Sequence, residues 1–431
     1  MAVDAANLGG HVNWQSDAMK SLRKKRYAAD RRLQIYGMTA IAFAIGFLAI
    51  LLSTLTFTGY KAFTQTAVTV QIDLSTQDLD ETDLMGADWR TITRTALLAT
   101  APGELSRADE RNYMNLFTTS APYLLRDEVL DERAMLLEGP RSYQIPLADP
   151  FDQLAKGEVD RDTPENQRRV TDEQVAWYDN LVQQDMISQP FNWGLFFNSD
   201  SRFPELAGLA GAISGSFWAL LVCFLISFPV GIAAAIYLEE FAPKNRITDI
   251  IEVNINNLAA VPSVVFGLLG LAVFLGWFGM PRSVPLVGGL VLSLMTLPTL
   301  IIVTRASLRS VPSSIREAAL GVGASKHEAI FHHILPLSMP TIMTGTIIGL
   351  AQALGETAPL LLIGMNAFIT SPPAGVLEAS TALPTQIFIW ADSPERGFVA
   401  RTSAAILVLI GFLILMNAIA IFLRQRFERR W

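Results

Sequence analysis

Glu356 stands inside a long apolar run, Thr341 to Gly364, in the stretch Ala353-Leu354-Gly355-Glu356-Thr357-Ala358-Pro359. A charged side chain at the centre of a bilayer costs about 2.5–3.5 kcal/mol on insertion scales, so a carboxylate there is expected to face a bundle interior or a cavity. Its chemistry would be recognition or gating rather than bond-making. The carboxyl can be held protonated, paired with an arginine on another helix, or used as a gate latch, and pairing is the expectation. The plainer use is to cap a broken helix or lock packing, since Gly355 and Pro359 weaken the helix on both sides.

A second constellation lies just upstream, from Val311 to Pro336. Ser314 precedes Glu317 by three positions and Ser325 precedes Glu328 by three, the spacing of two capping boxes and hence of two short helices. Gly321 and Gly323 are expected to end the first helix, and Pro336 to stop the second. Small Ala318 and Ala319, expected to face outward, suit such a helix pair to a groove on another protein. His327, His332 and His333 do not share one helical face as i, i+4 ligands would, so no metal is expected there. The chain has no Gly-x-x-x-x-Gly-Lys-Ser/Thr loop with which to cradle nucleotide phosphates.

These residues need a membrane around them. With 51% hydrophobic and 17% charged residues the chain is too apolar for an ordinary soluble protein. Runs long enough to cross about 30 Å of hydrocarbon are Leu33–Leu55, Gly208–Leu238, Leu258–Met280, Val284–Val303, Thr341–Gly364 and Ala404–Leu423, roughly six spans. Both ends are basic: Lys20, Arg23, Lys24, Lys25, Arg26, Arg31 and Arg32 precede the first span, and Arg424, Arg426, Arg429 and Arg430 follow the last. An even number of spans with both ends cytoplasmic satisfies the positive-inside rule, and Lys244, Arg246, Arg305, Arg309, Arg316 and Lys326 then fall on the same side. The segment Lys61–Leu206 becomes extracytoplasmic. It holds about 26 acidic against about 13 basic residues, a local charge near −13, whereas the rest of the chain is near +6.

The first apolar run is too long for a signal-peptide core and lacks a clear small-x-small cleavage site, so it is expected to remain as an anchor. The single cysteine, Cys223, is mid-span, and no intrachain disulfide is possible. In the exported segment, alternation over Ala67–Leu74 predicts a strand, helical patches are predicted over Asp88–Leu98 and Thr171–Gln184, and the Pro/Asp/Gly-rich stretch Ile145–Pro164 reads as loop. The segment is therefore expected to be an α+β domain.

The loop resembles the EAA loop of ABC importer permeases: Glu317, Ala318, Ala319, then Gly323, then Leu335 and Pro336, with His333 where that pattern favours isoleucine. The resemblance implies that this loop seats in a cleft of a separate ATPase subunit and passes its motion to the membrane helices. It also implies an all-α polytopic membrane protein, with roughly six transmembrane helices of the type I ABC importer permease fold and the α+β domain inserted between the first and second.

Gly355-Glu356-Thr357-Ala358-Pro359-Leu360-Leu361 is similar to the signature of the PstA-type permeases of phosphate ABC importers. Phe228–Ile232 with Ile236–Glu240, Val261–Leu268 and Leu383–Phe388 agree with that family in order, so the likeness covers about Pro204 to Leu423 and the first span. Members often carry an arginine four residues before the signature glutamate, where this chain has Gln352. Glu356, Thr357, Gln352 and Arg305 are thus the candidate pathway residues. The competing reading of Arg305 is a positive-inside anchor. The cation that meets phosphate comes from Arg305, from a partner subunit, or is absent from this chain.

The resemblance implies partners: a homologous permease of the PstC type, a dimer of PstB-type ATP-binding subunits, a periplasmic phosphate-binding protein, inorganic phosphate and membrane lipid, with no nucleic acid. It implies no cofactor on this chain and no enzymatic activity, ATP being used by the partner ATPase, and a bacterial inner (plasma) membrane location. The exported domain resembles an insertion of unknown function in some such permeases, and its acidity fits docking a partner better than holding phosphate. The expected organisation is 1–60 basic N-terminus and first helix, 61–206 extracytoplasmic domain, 207–425 transmembrane domain with the coupling loop at 312–336, and 426–431 cytoplasmic tail. Two other functions are carried: the same machine for sulfate or molybdate, and a membrane-anchored sensor that reads a ligand with residues 61–206.

Overall fold

The computed structural model describes residues 17–75, 79, 83–131 and 139–427. Residues 1–16 of the basic N-terminus and residues 428–431 of the tail, with Arg429 and Arg430, lie outside the described residues. Residues up to 57 form one compact unit and residues 58–431 another. The described residues of the first unit all lie in one helix, α1 (Asp17–Gly59), which runs well beyond the apolar run Leu33–Leu55 on its N-terminal side. A 3-10 turn, Tyr60–Phe63, follows.

The second unit begins with an α+β part. Strand β1 (Ala67–Ile72) is central, paired antiparallel with β2 (Arg141–Pro146) and β3 (Ile187–Ser188). The alternation seen in the sequence is real: Val68, Val70 and Ile72 are buried on one face, as a half-buried strand requires. Helices α2 (Trp89–Leu98), α3 (Arg107–Met114), α4 (Ala121–Asp131), α5 (Asp149–Ala155), α6 (Asp172–Gln183) and the single turn α7 (Gly194–Phe197) surround the sheet. Asp88 caps α2 by accepting from the Thr91 amide, and Thr171 with Gln174 forms a capping box on α6. Tyr113 sits edge-on to both Phe117 and Trp177, with ring centres 5.5 Å apart in each pair, in the core between α3 and α6. The stretch Ile145–Pro164 is not all loop. It contains α5, because Pro150 stands in the first turn, where its missing N–H costs no hydrogen bond.

The helical part follows: α8 (Ala210–Ile236), α9 (Arg246–Ala259), α10 (Ser263–Gly270), α11 (Pro285–Ser310), α12 (Ser313–Gly321), α13 (Lys326–Glu328), α14 (Leu335–Gly355), α15 (Ala358–Leu362), α16 (Leu383–Ala391) and α17 (Gly397–Phe427). Five described helices are long and apolar enough to cross a membrane, or six if one bent pair counts as a span. That pair departs from the expected span Leu258–Met280. Arg246–Ala259 and Ser263–Trp277 meet at 101°, because Pro262 bars its predecessor from the helical region and supplies no N–H.

Close backbone approach holds the centre together. Gly289 of α11 lies against α8, where a Cβ would fall 2.5 Å from Val222 Cβ, and Gly349 of α14 lies against α11, where one would fall 2.9 Å from Thr296 Cγ2. Gly345 faces Val303 in the same seam, so the small-xxx-small pair serves helix packing.

Candidate functional site

The loop between α11 and α14 is built by its end signals. Helix α12 starts at Ser313, with Pro312 as its N-cap and no side-chain cap. The expected Ser314–Glu317 capping box does not form, since Ser314 is already inside the first turn. The Ser325–Glu328 box does form on α13. Helix α12 ends in a complete Schellman motif: Gly323 has φ +93°, its amide donates to the Leu320 carbonyl at 3.0 Å, and the Ala324 amide donates to the Ala319 carbonyl at 3.0 Å.

Pro336 does not stop the second helix as expected. A π-helical turn, Ala329–Ile334, carries α13 straight into α14, giving one helix from Lys326 to Gly355. The widened turn places the residue without an N–H where the regular ladder is already interrupted. Ala318 and Ala319 do not face the same way: Ala319 is buried while Ala318 and Glu317 are exposed, because neighbours on an α-helix point about 100° apart. The outward surface is apolar instead at Leu320 and Val322, which is 86% exposed.

This loop is clamped to the membrane helices by residues whose pairing is invisible in the sequence. Glu239, in the π-helical turn Tyr237–Phe241 that ends α8, accepts from Arg305 Nε at 3.3 Å and from Arg309 Nε at 2.7 Å. Arg305 also reaches Glu252 of α9 at 2.5 Å. Glu240 binds Arg316 of α12 at 2.6 Å, and its carbonyl accepts from Lys326. Below the ions, Ile236, Leu308, Val311, Ile330 and Ile334 form a buried apolar cluster. Ser307 Oγ donates to the Ser338 carbonyl at 3.0 Å, tying the end of α11 to the start of α14. Helices α8, α9, α11 and α14 and the loop are thus joined to one another by ion pairs, hydrogen bonds and apolar packing. The signal available was the acidic pair directly after an apolar run, opposite in sign to the row Arg305, Arg309, Arg316.

Glu356 lies at the other end of α14. The helix stops at Gly355 and Glu356 is its extended C-cap, so the apolar run Thr341–Gly364 is two helices, broken where Gly355 and Pro359 weaken it. Pro359 cannot donate to the carbonyl of Gly355. Glu356 and Thr357 are half-buried and Gln352 is exposed. Among the described residues no ion pair or side-chain hydrogen bond reaches the Glu356 carboxylate. The expected arginine partner is therefore not met within them. Arg305 is far away: since Gly349 lies against Thr296, helix rise separates Arg305 from Glu356 by roughly 24 Å. The site residues fall into two groups, loop and clamp at one end, helix break at the other.

A third charged cluster joins the α+β part to α17, and patterning gave no sign of it. Asp149 accepts from Gln153 at 2.7 Å and packs on Gly397, where any Cβ would collide with it. Asp152 accepts from the Thr66 amide at 3.0 Å and from Lys156 at 2.7 Å, Glu158 pairs with Lys61 at 3.1 Å, and buried Arg401 donates to the Ala207 carbonyl. Burial pushes the Asp149 and Glu205 carboxyls above the ordinary range. Above an ordinary carboxyl pKa of about 4, the folded chain therefore holds protons that the unfolded chain has lost, and stability falls as pH rises towards the raised values. Hydrogen exchange over residues 146–158 of the full chain, corrected for intrinsic rates, is expected to be slower at about pH 5 than at about pH 7.5. Slower exchange at the higher pH would contradict this.

Residues 227–431 match the family described as binding-protein-dependent transport system inner membrane component. Residues 20–165 match a domain of unknown function, DUF3333. The chain is 34% identical over 243 residues to the phosphate transport system permease protein PstA 2 of Mycobacterium bovis, with 56% of this chain and 79% of that protein covered. It is 33% identical over 225 residues to the phosphate transport system permease protein PstA of Yersinia pestis, with 49% and 71% covered. It is 29% identical over 218 residues to a probable ABC transporter permease protein, YqgI, of Bacillus subtilis, with 47% and 73% covered.

Proposed function

The chain belongs to the PstA-type permeases of ABC transporters, multi-pass membrane subunits of type I fold, and from that membership we propose that it forms half of the translocation pathway of an inorganic phosphate importer. The observation that carries the substrate is the Gly355–Leu361 signature set at a break between α14 and α15, since interrupted membrane helices are where transporters expose backbone and ionisable groups to cargo. The relatives named for phosphate transport support the same reading.

In this reading a homologous permease completes the pathway, a periplasmic binding protein delivers phosphate, and a dimer of separate ATPase subunits hydrolyses ATP. Both ends of the chain are cytoplasmic and residues 61–206 lie outside. ATP-driven closure of the ATPases pushes on Leu320 and Val322. The Arg316–Glu240 and Arg305–Glu239 pairs pass the push to α8, α9 and α11, and rigid movement of these helices alternates access to the break at Glu356. No arginine of the described residues accompanies Glu356, so the cation that meets phosphate is supplied by the partner permease.

The test is uptake of radiolabelled phosphate, with sulfate and molybdate as competitors, in cells carrying the wild-type chain or Glu356→Gln. Phosphate-specific uptake, reduced at least about tenfold in the variant, is expected, as for loss of a pathway contact of about 1.4 kcal/mol or more. Uptake competed away by sulfate or molybdate would overturn the substrate. Unchanged uptake in the variant would reduce Glu356 to a helix cap.

A further inference from the structure

The α+β part carries 26 acidic and 13 basic residues between 61 and 206, yet positions 186–199 contain none, and read Met-Ile-Ser-Gln-Pro-Phe-Asn-Trp-Gly-Leu-Phe-Phe-Asn-Ser. Within this stretch the side chains are sorted. Asn192 and Leu195 point inward and are almost wholly buried, whereas Phe191, Trp193 and Phe197 are 47%, 64% and 72% exposed. The exposed rings form one continuous patch: Phe191 is 4.8 Å from Trp193 and 6.2 Å from Phe196, Trp193 is 6.2 Å from Phe197, and Phe63 stacks on both Phe191 and Phe196. Leaving such area in water is unfavourable for a protein that has an acidic, well-hydrated surface elsewhere.

The height of the patch is fixed by hydrogen bonds to the turn Tyr60–Phe63 and to the start of the membrane helix α8. The Asn192 amide donates to the Phe63 carbonyl at 2.8 Å, and the Asn192 side chain donates to the Ala62 carbonyl at 3.1 Å. Both acceptors lie in the 3-10 turn Tyr60–Phe63. On the other side the Leu209 amide donates to the Leu195 carbonyl at 2.8 Å and the Ala210 amide to the Asn198 carbonyl at 3.0 Å, at the first turn of α8. A segment bonded to the first turn of a span lies at the level where that span leaves the hydrocarbon. Tryptophan and other aromatics concentrate at that level, with their rings in the headgroup region.

We infer that residues 190–197 are a membrane-interface anchor: Phe191, Trp193 and Phe197 enter the boundary between phospholipid headgroups and acyl chains, and seat the α+β part on the bilayer surface. The occupant of the patch is lipid rather than protein, because only the membrane is fixed relative to it by bonds within this chain. The anchor also accounts for the absence of charge over 186–199, since Asp, Glu, Lys or Arg on these rings' face would have to be desolvated with them.

The test uses the full chain reconstituted in phosphatidylcholine vesicles. The chain has eight tryptophans, so the Trp193 signal is taken as the difference between wild type and Trp193→Phe. Phe197→Trp in the Trp193→Phe background provides a second reporter on the same patch. Lipid brominated high on the acyl chains is expected to quench both reporters several-fold more than aqueous iodide does. Strong iodide quenching with no effect of brominated lipid would place the patch in water, and protection from both would place it under protein. Either result overturns the anchor.

Discussion

Gly323→Val is expected to bring ATP-driven uptake to background while the chain still inserts and accumulates in the membrane. Nothing lies within 4 Å of the position a Cβ would take at Gly323, so the effect is one of backbone alone. At φ +93° a β-branched residue is strained by about 1–3 kcal/mol. The strain is relieved by undoing the Schellman bonds from Gly323 and Ala324 to Leu320 and Ala319. On the proposed coupling role, that release moves Leu320 and Val322, the exposed apolar surface of the loop, out of position for the ATPase subunit. Gly323→Asn should keep most activity, because asparagine tolerates the left-handed region. Gly321→Ala should be silent, since Gly321 ends α12 with open space around it. Wild-type uptake from Gly323→Val, at equal membrane abundance, would remove the loop from the coupling path.

Arg305→Gln should cost more stability than any other single change at the clamp, on the order of 2 kcal/mol, because it removes the cation shared by Glu239 and Glu252 and leaves Glu239 with Arg309 alone. Glu239 and Arg305 retain only 14% and 11% of their side-chain exposure, so water cannot replace the lost partner. Glu239→Gln should be damaging through the same contacts, and the double variant Glu239→Gln/Arg305→Gln should be less destabilised than the sum of the two single changes. Thermal unfolding of the purified chain measures all three. If Arg305 met phosphate instead, Arg305→Gln would raise the KM for uptake and leave the melting temperature unchanged, and the double variant would be additive.

How much of this could be read from residue order depended on the range of the interaction. Apolar length located the membrane helices, and alternation located β1, because both are properties of a few consecutive residues. Proline was the weak sign. Pro262 broke a run that hydropathy alone joined, whereas Pro336, read as a stop, sits in a continuous helix because the π-helical turn before it absorbs the missing bond. Ser314 had the spacing of a cap but not the backbone of one, since Pro312 starts α12 two residues earlier. The clamp was out of reach: Arg305 meets Glu252 and Glu239 across 53 and 66 positions, and Arg309 meets Glu239 across 70. No local pattern carries such pairings. Asp149, Glu205 and Arg401 were hidden for the same reason, each being an ordinary surface residue type until the fold buries it.

The most direct measurement is ATP-driven phosphate accumulation in proteoliposomes that contain this chain with its partner permease, ATPase subunits and binding protein. Accumulation of phosphate that needs both ATP and this chain, and that sulfate and molybdate do not compete away, is the predicted result. ATP-dependent accumulation of sulfate or molybdate in its place, or phosphate entry that persists when this chain is left out, would contradict it.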